Sequence, residues 1–476
     1  MPVYQRRILA YRDVKVNVNG LKYYIRKVIK MLKVGFARLD ITPALGTTLS
    51  GYFYTRRADG VLDPLYASAA VFDNGKDRAA VFSVDIIGIN QSYMWKLRSL
   101  IAERIGIAPE GVFVSCTHTH LAPCVANDAC HTEDGEMVAF ENPEYTEFLT
   151  KRLCDIAELA LQDLSSAEMY YTHSRVENVA FIRRYRMKDG STRTNPPHLS
   201  TDVVGPIGKA DEESLLLVIK REGKPEIGIV NFQVHPDTIG GNKVSADYIK
   251  FVRDTYEKMI PDSCCMYING AQGDTNNRNI KEPKPDASLR YEKASEMGKK
   301  IAMSVIEKYG DLQKLSGDKI SFGQKNILVF HNKGDESELS DALLTYKKYI
   351  EAAPDTDEDY QELKKHVPMN IPKACRIATL NDAPAEKVLS LTAVSVGDVV
   401  FAGYPGEPFT RLGNFVKDNS RFELSFISCC ANGYEGYYPT EDAYDGGYEF
   451  NTARYVKGTA EKLQEELLEL VNSLYN

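Results

Sequence analysis

Histidine is scarce in this 476-residue chain, with eight, and tryptophan occurs once. There is no run of ~18 apolar residues of the kind that crosses a bilayer. No Cys-x-x-Cys pair suggests a cysteine zinc site, and no low-complexity linker or short-period repeat divides the chain. Positive charge is in deficit: 58 Lys and Arg stand against 66 Asp and Glu, a formal charge of −8 that argues against general nucleic-acid binding. The deficit is uneven, because residues 1–30 carry eight Lys/Arg against the single acid Asp13, leaving about −15 to the rest. Residues 1–32 are therefore expected to be a basic extension, an added strand or an amphipathic arm, and Met31 opens a stretch that reads like a natural start. That extension shows neither a continuous apolar stretch nor a small-residue cleavage site, so the expected location is the cytoplasm. The nine cysteines, with Cys264–Cys265 and Cys429–Cys430 side by side in apolar runs, are expected to be reduced core thiols.

What the chain does have is a series of short Val-, Ile- and Phe-rich runs, each followed by a turn and a helix-period segment. These predict strands in 79–88, 111–120, 264–274 (running into a Gly-rich turn) and 422–434, and hairpins turning at Glu222-Gly223-Lys224 and at Gly397-Asp398. Amphipathic helices are expected over 287–310 and at the C-terminus, and a polar helical excursion over about 335–366. The fold class is α/β, with layered mixed β-sheets flanked by helices and one interlocked domain over 33–476. Segments 79–120 and 398–437 echo one another as strand, helix, strand and polar cluster.

Polar residues gather just beyond the C-terminal ends of the buried strands: Asp85, His118 with His120, His235, Asp274, Glu407 and Tyr437. In α/β sheets that crevice is where ligands bind. Successive strand side chains alternate, so the i, i+2 spacing of His118 and His120 points both to one face, where both could meet one ligand. Each member alone has a plainer reading: edge histidines satisfied by hydrogen bonds, a turn histidine for His235, a helix cap for Glu407, and turn or helix caps for Asp274 and Asp247. Asp40 and Thr42 are read as closing a turn before Pro43. Together, two or three histidines and a carboxylate are the inventory of a catalytic zinc site.

The stretches "VGFARLDITPALGTTLSGY", "THTH", "VHPDTIGGNKVSADY", "NGAQGD", "GYPGEPF" and "NGYEGYYPTEDAY" resemble, in order, the N-terminal catalytic domain of the neutral/alkaline, non-lysosomal ceramidase family. The resemblance implies zinc held by His118, His235, Glu407 and Tyr437, with Tyr434 and Tyr438 as neighbouring rivals for the tyrosine place. His120 would lie beside the metal and handle protons, Tyr448 would meet the oxyanion, and Arg184, with Arg183 as its rival, would meet the polar end of the substrate. Asp274 and Asn276 are expected near the substrate too. Three departures accompany it. Ceramide-cleaving members have "GDVSP" where this chain has "GDTNN", so Asn276 stands in the serine's place and Thr275 is one position off. The C-terminal immunoglobulin-like domain is expected to be missing, and so is an export signal.

The expected activity is zinc-dependent hydrolysis of an amide (N-acyl) bond in a small or lipid-like substrate, by a homo-oligomer. The alternatives are hydrolysis or elimination on a small polar or sugar-like substrate, and a non-catalytic binding protein on the same scaffold. Cys116, on the His118 and His120 face if the strand continues, is a candidate nucleophile set against ordinary thiol packing. Cys116→Ala is expected to retain turnover, measured on the substrate the wild type hydrolyses; its loss would restore the thiol mechanism.

Overall fold

The apolar runs pair into two sheets that lie face to face. The structure, a computed structural model, describes residues 32–125 and 142–475 and the backbone of two further strands, Tyr11–Val18 and Leu21–Val28, which form an antiparallel hairpin. The larger sheet has nine strands. Along its main path they run Ser263–Asn269, Lys224–Phe232, Glu213–Arg221, Ser165–Arg175, Lys33–Asp40, Tyr66–Asp73, Arg78–Val84 and Val112–Cys116. The smaller has four: Ile320–Phe330, Glu386–Val396, Val399–Gly403 and Leu424–Ser428.

Strand alternation sorts the side chains into layers. Ala70 and Phe72 face the second sheet and join Phe401 and Phe426, whereas Ala69 and Val71 face Leu97 and Ile101 of one helix and Leu153 and Ile156 of another. The outer face of the smaller sheet is covered by Leu412, Leu463 and Leu467 from two more helices. The order is helices, large sheet, small sheet, helices, as the α/β expectation required.

Three strand-helix-strand crossovers set up the site: Arg78–Val84 to Val112–Cys116, Lys224–Phe232 to Ser263–Asn269, and Val399–Gly403 to Leu424–Ser428, each a parallel pair. Parallel pairing puts both C-terminal ends of a unit at one edge. The echo between 79–120 and 398–437 is thus two copies of a device used three times.

These ends meet because the large sheet is hinged. Its halves join through the short pairing Ser165↔Val34 and Ser166↔Lys33, continued by Ala167 N donating to the Leu32 carbonyl at 2.9 Å, and they approach again where Ser83 Oγ donates to the Tyr267 carbonyl at 2.5 Å. Asn269 then ties all three units together: its Nδ2 donates to the Thr117 carbonyl at 3.2 Å, and its own carbonyl accepts from Cys429 N at 3.1 Å. Asp85 is the second tie. The Arg253 guanidinium donates to its two oxygens at 2.9 and 2.7 Å, and both side chains are buried.

Both hairpins turn where expected, with Gly223 and Gly397 at φ 66° and 54°. Two expectations are corrected. The strand of "GVFVSCTHTH" ends at Cys116, and His118 has φ 70°, so the histidines leave the strand through a left-handed residue and do not alternate along it. The helical excursion runs past 366, because Leu339–Ala352 and Asp357–Leu363 are followed by a third helix, Ile371–Asn381, starting on Asn370 and Pro372 as cap and first-turn proline.

Removing one partner from a buried ion pair leaves the other charge uncompensated, so Asp85→Ala is expected to cost about 3–5 kcal/mol of stability. Denaturant unfolding would check this, and a loss below about 1 kcal/mol would mean that the pair does not lock the crossovers.

Candidate metal centre

His118 owes its place to the turn after Val112–Cys116. Its N–H donates to the Ile86 carbonyl at 2.9 Å, and its Nδ1 lies 2.7 Å from the Ile87 carbonyl oxygen. A carbonyl can only accept, so Nδ1 carries the hydrogen and Nε2 presents a lone pair inward. The left-handed backbone that achieves this is unusual for a histidine and is held by the surrounding packing.

His235 follows Lys224–Phe232 and enters a loop shaped from beneath. Asp247 accepts from Thr238 N and Ile239 N, both at 2.9 Å, and the Tyr248 hydroxyl donates to the Val234 carbonyl at 2.8 Å. Burial pushes the Asp247 carboxyl up to about 6 despite these donors. Asp247 therefore shapes the His235 loop and caps the helix Tyr248–Met259.

Glu407 follows Val399–Gly403 and is fully buried. Its Oε2 lies 3.3 Å from His118 Nε2 and 3.7 Å from His235 Nδ1. Tyr434 Oη donates to its Oε1 at 2.8 Å, and Gln272 Nε2 to its Oε2 at 3.2 Å. A β-carbon at Gly273 would collide with the Glu407 carbonyl, so the "NGAQGD" glycine permits this approach. Burial alone would raise the Glu407 pKa; the His118, His235 and Arg183 charges outweigh it and hold the carboxyl well below the usual carboxylate range. His118 shows the reciprocal effect, with burial pulling it down and the Glu407 carboxylate pushing it up further.

The donor set fits a metal ion. His118 Nε2 and His235 Nδ1 are buried and have no hydrogen-bond partner, and both look toward the same carboxylate oxygen. Two ligand atoms on a tetrahedral zinc stand ~3.3 Å apart, given bonds of ~2.0–2.1 Å. The ligand atoms of His118, His120 and His235 all lie within 4.8 Å of one another.

His120 touches this group directly: its Nε2 is 3.1 Å from His235 Nε2. Burial lowers its pKa to about 4. Its carbonyl accepts from Arg56 NH2 at 2.6 Å, its ring stands 5.7 Å from that of Tyr52, and a β-carbon at Gly51 would overlap it.

The neighbouring arginines separate. Arg183 lies 5.3 Å from the Tyr437 ring centroid and 5.9 Å from that of Tyr448, and its Nε donates to Glu449 at 2.7 Å. Arg184 is turned away: its nitrogens donate to the carbonyls of Gly446 and Ala443 and to Asp445 and Glu449. Tyr437 and Tyr448 stand together at 5.7 Å on the Arg183 side. Tyr438 is excluded from the centre, since its hydroxyl donates to the Pro405 carbonyl at 2.9 Å.

Asp274 Oδ1 accepts from the N–H and the hydroxyl of Thr410, each at 2.8 Å, which is the helix-cap reading. Asn276 Nδ2 donates to Asn195 Oδ1 at 2.7 Å, while Thr275 Oγ1 donates to the Gln272 carbonyl at 3.2 Å. Asp40 accepts from Thr42 N at 2.7 Å, as the turn reading expects. Cys116 lies in the core between sheet and helices, where burial pushes its thiol pKa far up, so it is not an available thiolate.

Sequence reasoning named Tyr434 only as a rival of Tyr437 for the metal, and it missed Gln272, Tyr52 and Arg56 as neighbours of the centre. Gln272 and Tyr52 lie inside stretches that carry the family resemblance, but nothing in their spacing marks them as facing Glu407 or His120.

No family model matches the chain, and no curated protein matches it. Solved structures do. The architecture belongs to the class of layered α/β folds, and the particular fold is that of ceramidase structures. Neutral ceramidase from Pseudomonas aeruginosa matches with a TM-score of 0.70 at 16% identity, over 94% of this chain and 74% of that one. A ceramidase complexed with C2 matches at 0.68 and 16%, over 93% and 75%.

Elemental analysis after dialysis is expected to find about one metal ion per chain. His118→Ala and Glu407→Gln should lose it, and Tyr438→Phe should keep it. Stoichiometric metal in both ligand variants would place the ion elsewhere.

Proposed function

We propose that the protein is a metal-dependent hydrolase that uses zinc to cleave an amide (N-acyl) bond. The observation that carries this reading is the pair of unpartnered buried imidazole nitrogens directed at one oxygen of Glu407. Its setting, a fold shared with ceramidases, supports the choice of bond. His118, His235 and Glu407 would hold the ion, with Tyr437 completing the set from the Arg183 side. Bound there, zinc would supply Lewis acidity toward a carbonyl and lower the pKa of water to about 7.

The chain's own groups do the rest. His120, kept neutral by burial, accepts a proton and returns one to the leaving nitrogen. Tyr448 donates to the carbonyl oxygen as it gains charge. Arg183, fixed by Glu449 and by the Gly273 carbonyl at 2.8 Å, holds the two tyrosines and the polar end of the substrate. The geometry favours Arg183 over Arg184 for that role, since the donors of Arg184 are engaged around 443–449. No serine nucleophile is required, which agrees with Asn276 and its structural bonds. A cytoplasmic location belongs to the same proposal, supported by the apolar packing of Cys116, Cys265, Cys429 and Cys430.

The test is hydrolysis of a panel of N-acyl compounds with and without chelator. Turnover should vanish with chelator and return with zinc. His120→Ala should keep the metal and lose about 10²–10⁴-fold in rate. Turnover that survives chelation refutes the mechanism, and loss of metal in His120→Ala would make that residue a ligand instead.

A further inference from the structure

The segment that departs from the ceramide-cleaving pattern, Gly273 to Asn277, is followed by a group that the mechanism leaves unused, Arg278. Asn277 Nδ2 donates to Thr238 Oγ1 at 2.5 Å, which fastens the segment to the loop three residues past His235. Asn276 Oδ1 accepts from Arg278 N at 3.0 Å and fixes the turn. Arg278 itself is half-buried, and its guanidinium has no hydrogen bond or ion pair with any described residue. The carboxylate that acts on it is Asp237, which already accepts from the Tyr52 hydroxyl, and Tyr52 is the ring packed on His120.

Two more cations crowd the same rim. Arg290, which opens the helix Arg290–Ile306, has its guanidinium against Gly240 and forms no ion pair among the described residues. Lys293, one turn on, is half-buried and donates to the Asn277 carbonyl at 2.9 Å. Burial lowers the pKa of Arg278, and Arg290 adds to the effect by repulsion. Glu282 and Glu296 answer Lys293. Half-buried Arg278, beside exposed Arg290, has only Asp237, which is already bonded to Tyr52, and a partly desolvated charge so placed is unfavourable unless an anion completes the group.

We propose that Arg278, supported by Arg290, forms an anion subsite at the rim of the metal centre, so that the substrate is an N-acyl compound bearing a carboxylate or a phosphate. This deepens the reading above and rests on it for where the substrate lies.

Calorimetric titration of the metal-loaded protein separates the two ideas, using N-acetylglycine, N-acetyl-O-phosphoethanolamine and neutral N-acetylethanolamine, with hydrolysis followed in parallel. The anionic compounds should bind about tenfold or more tightly than the neutral one, as charge-assisted hydrogen bonds allow. The tighter of the two names the anion. Arg278→Gln should erase that advantage with metal content unchanged, and Arg278→Lys should retain part of it. Equal affinity for all three compounds, or an advantage that survives in Arg278→Gln, overturns the subsite. Tight binding of the anions without hydrolysis would leave the subsite standing and refute amide cleavage instead.

Discussion

The Glu407 carboxylate is sealed from water, and a charge in that position costs several kcal/mol unless donors and opposite charge surround it. Here the Tyr434 hydroxyl and the Gln272 amide donate to it, and the imidazoles of His118 and His235 stand at its free side. These groups come from segments 118, 235, 272 and 434, which no local element could bring together. The centre therefore exists only as long as the ends of the three crossovers stay in register. The two imidazole nitrogens that face this carboxylate have no hydrogen-bond partner, so the set could hold a metal ion, whose positive charge would answer the carboxylate.

That requirement explains the polar groups buried away from the centre. Asn269 bonds the first crossover to the third while sitting at the end of the second, and Asp85 binds Arg253 across the first and second. Tyr248 and Asp247 fix the His235 loop, and Asp274 fixes the start of the helix after Glu407. Each is polar and buried and bonds across the segments it joins, which is what orients the groups that face the centre.

Much of this was legible. Apolar runs bounded by turn residues marked the strands and both hairpins, and unusual polar residues after strand ends pointed to His118, His235 and Glu407, since chain direction alone puts those positions at one sheet edge. The left-handed backbone at His118 was not legible, because a non-glycine residue reaches it only under tertiary constraint. Nor was the difference between Arg183 and Arg184, adjacent and chemically identical, of which one stands by Tyr437 and the other is spent on carbonyls around 443–449. Asp85 and Asp274 looked like site residues for the same reason that His235 did. Position after a strand says where a side chain stands, not whether it faces the cavity or an arginine behind it.

The sequence by itself determined the elements, their order, the layered α/β class and the inventory of possible ligands, since these follow from local periodicity and chain direction. Tertiary structure alone decided which of those groups meet. The short join within the large sheet and the packing of the small sheet against it bring three strand ends together and leave Glu407 beside two imidazoles. It also leaves the Arg278 guanidinium with no hydrogen bond or ion pair to any described residue. Such encounters depend on angles and distances between segments hundreds of residues apart, and no local pattern encodes them.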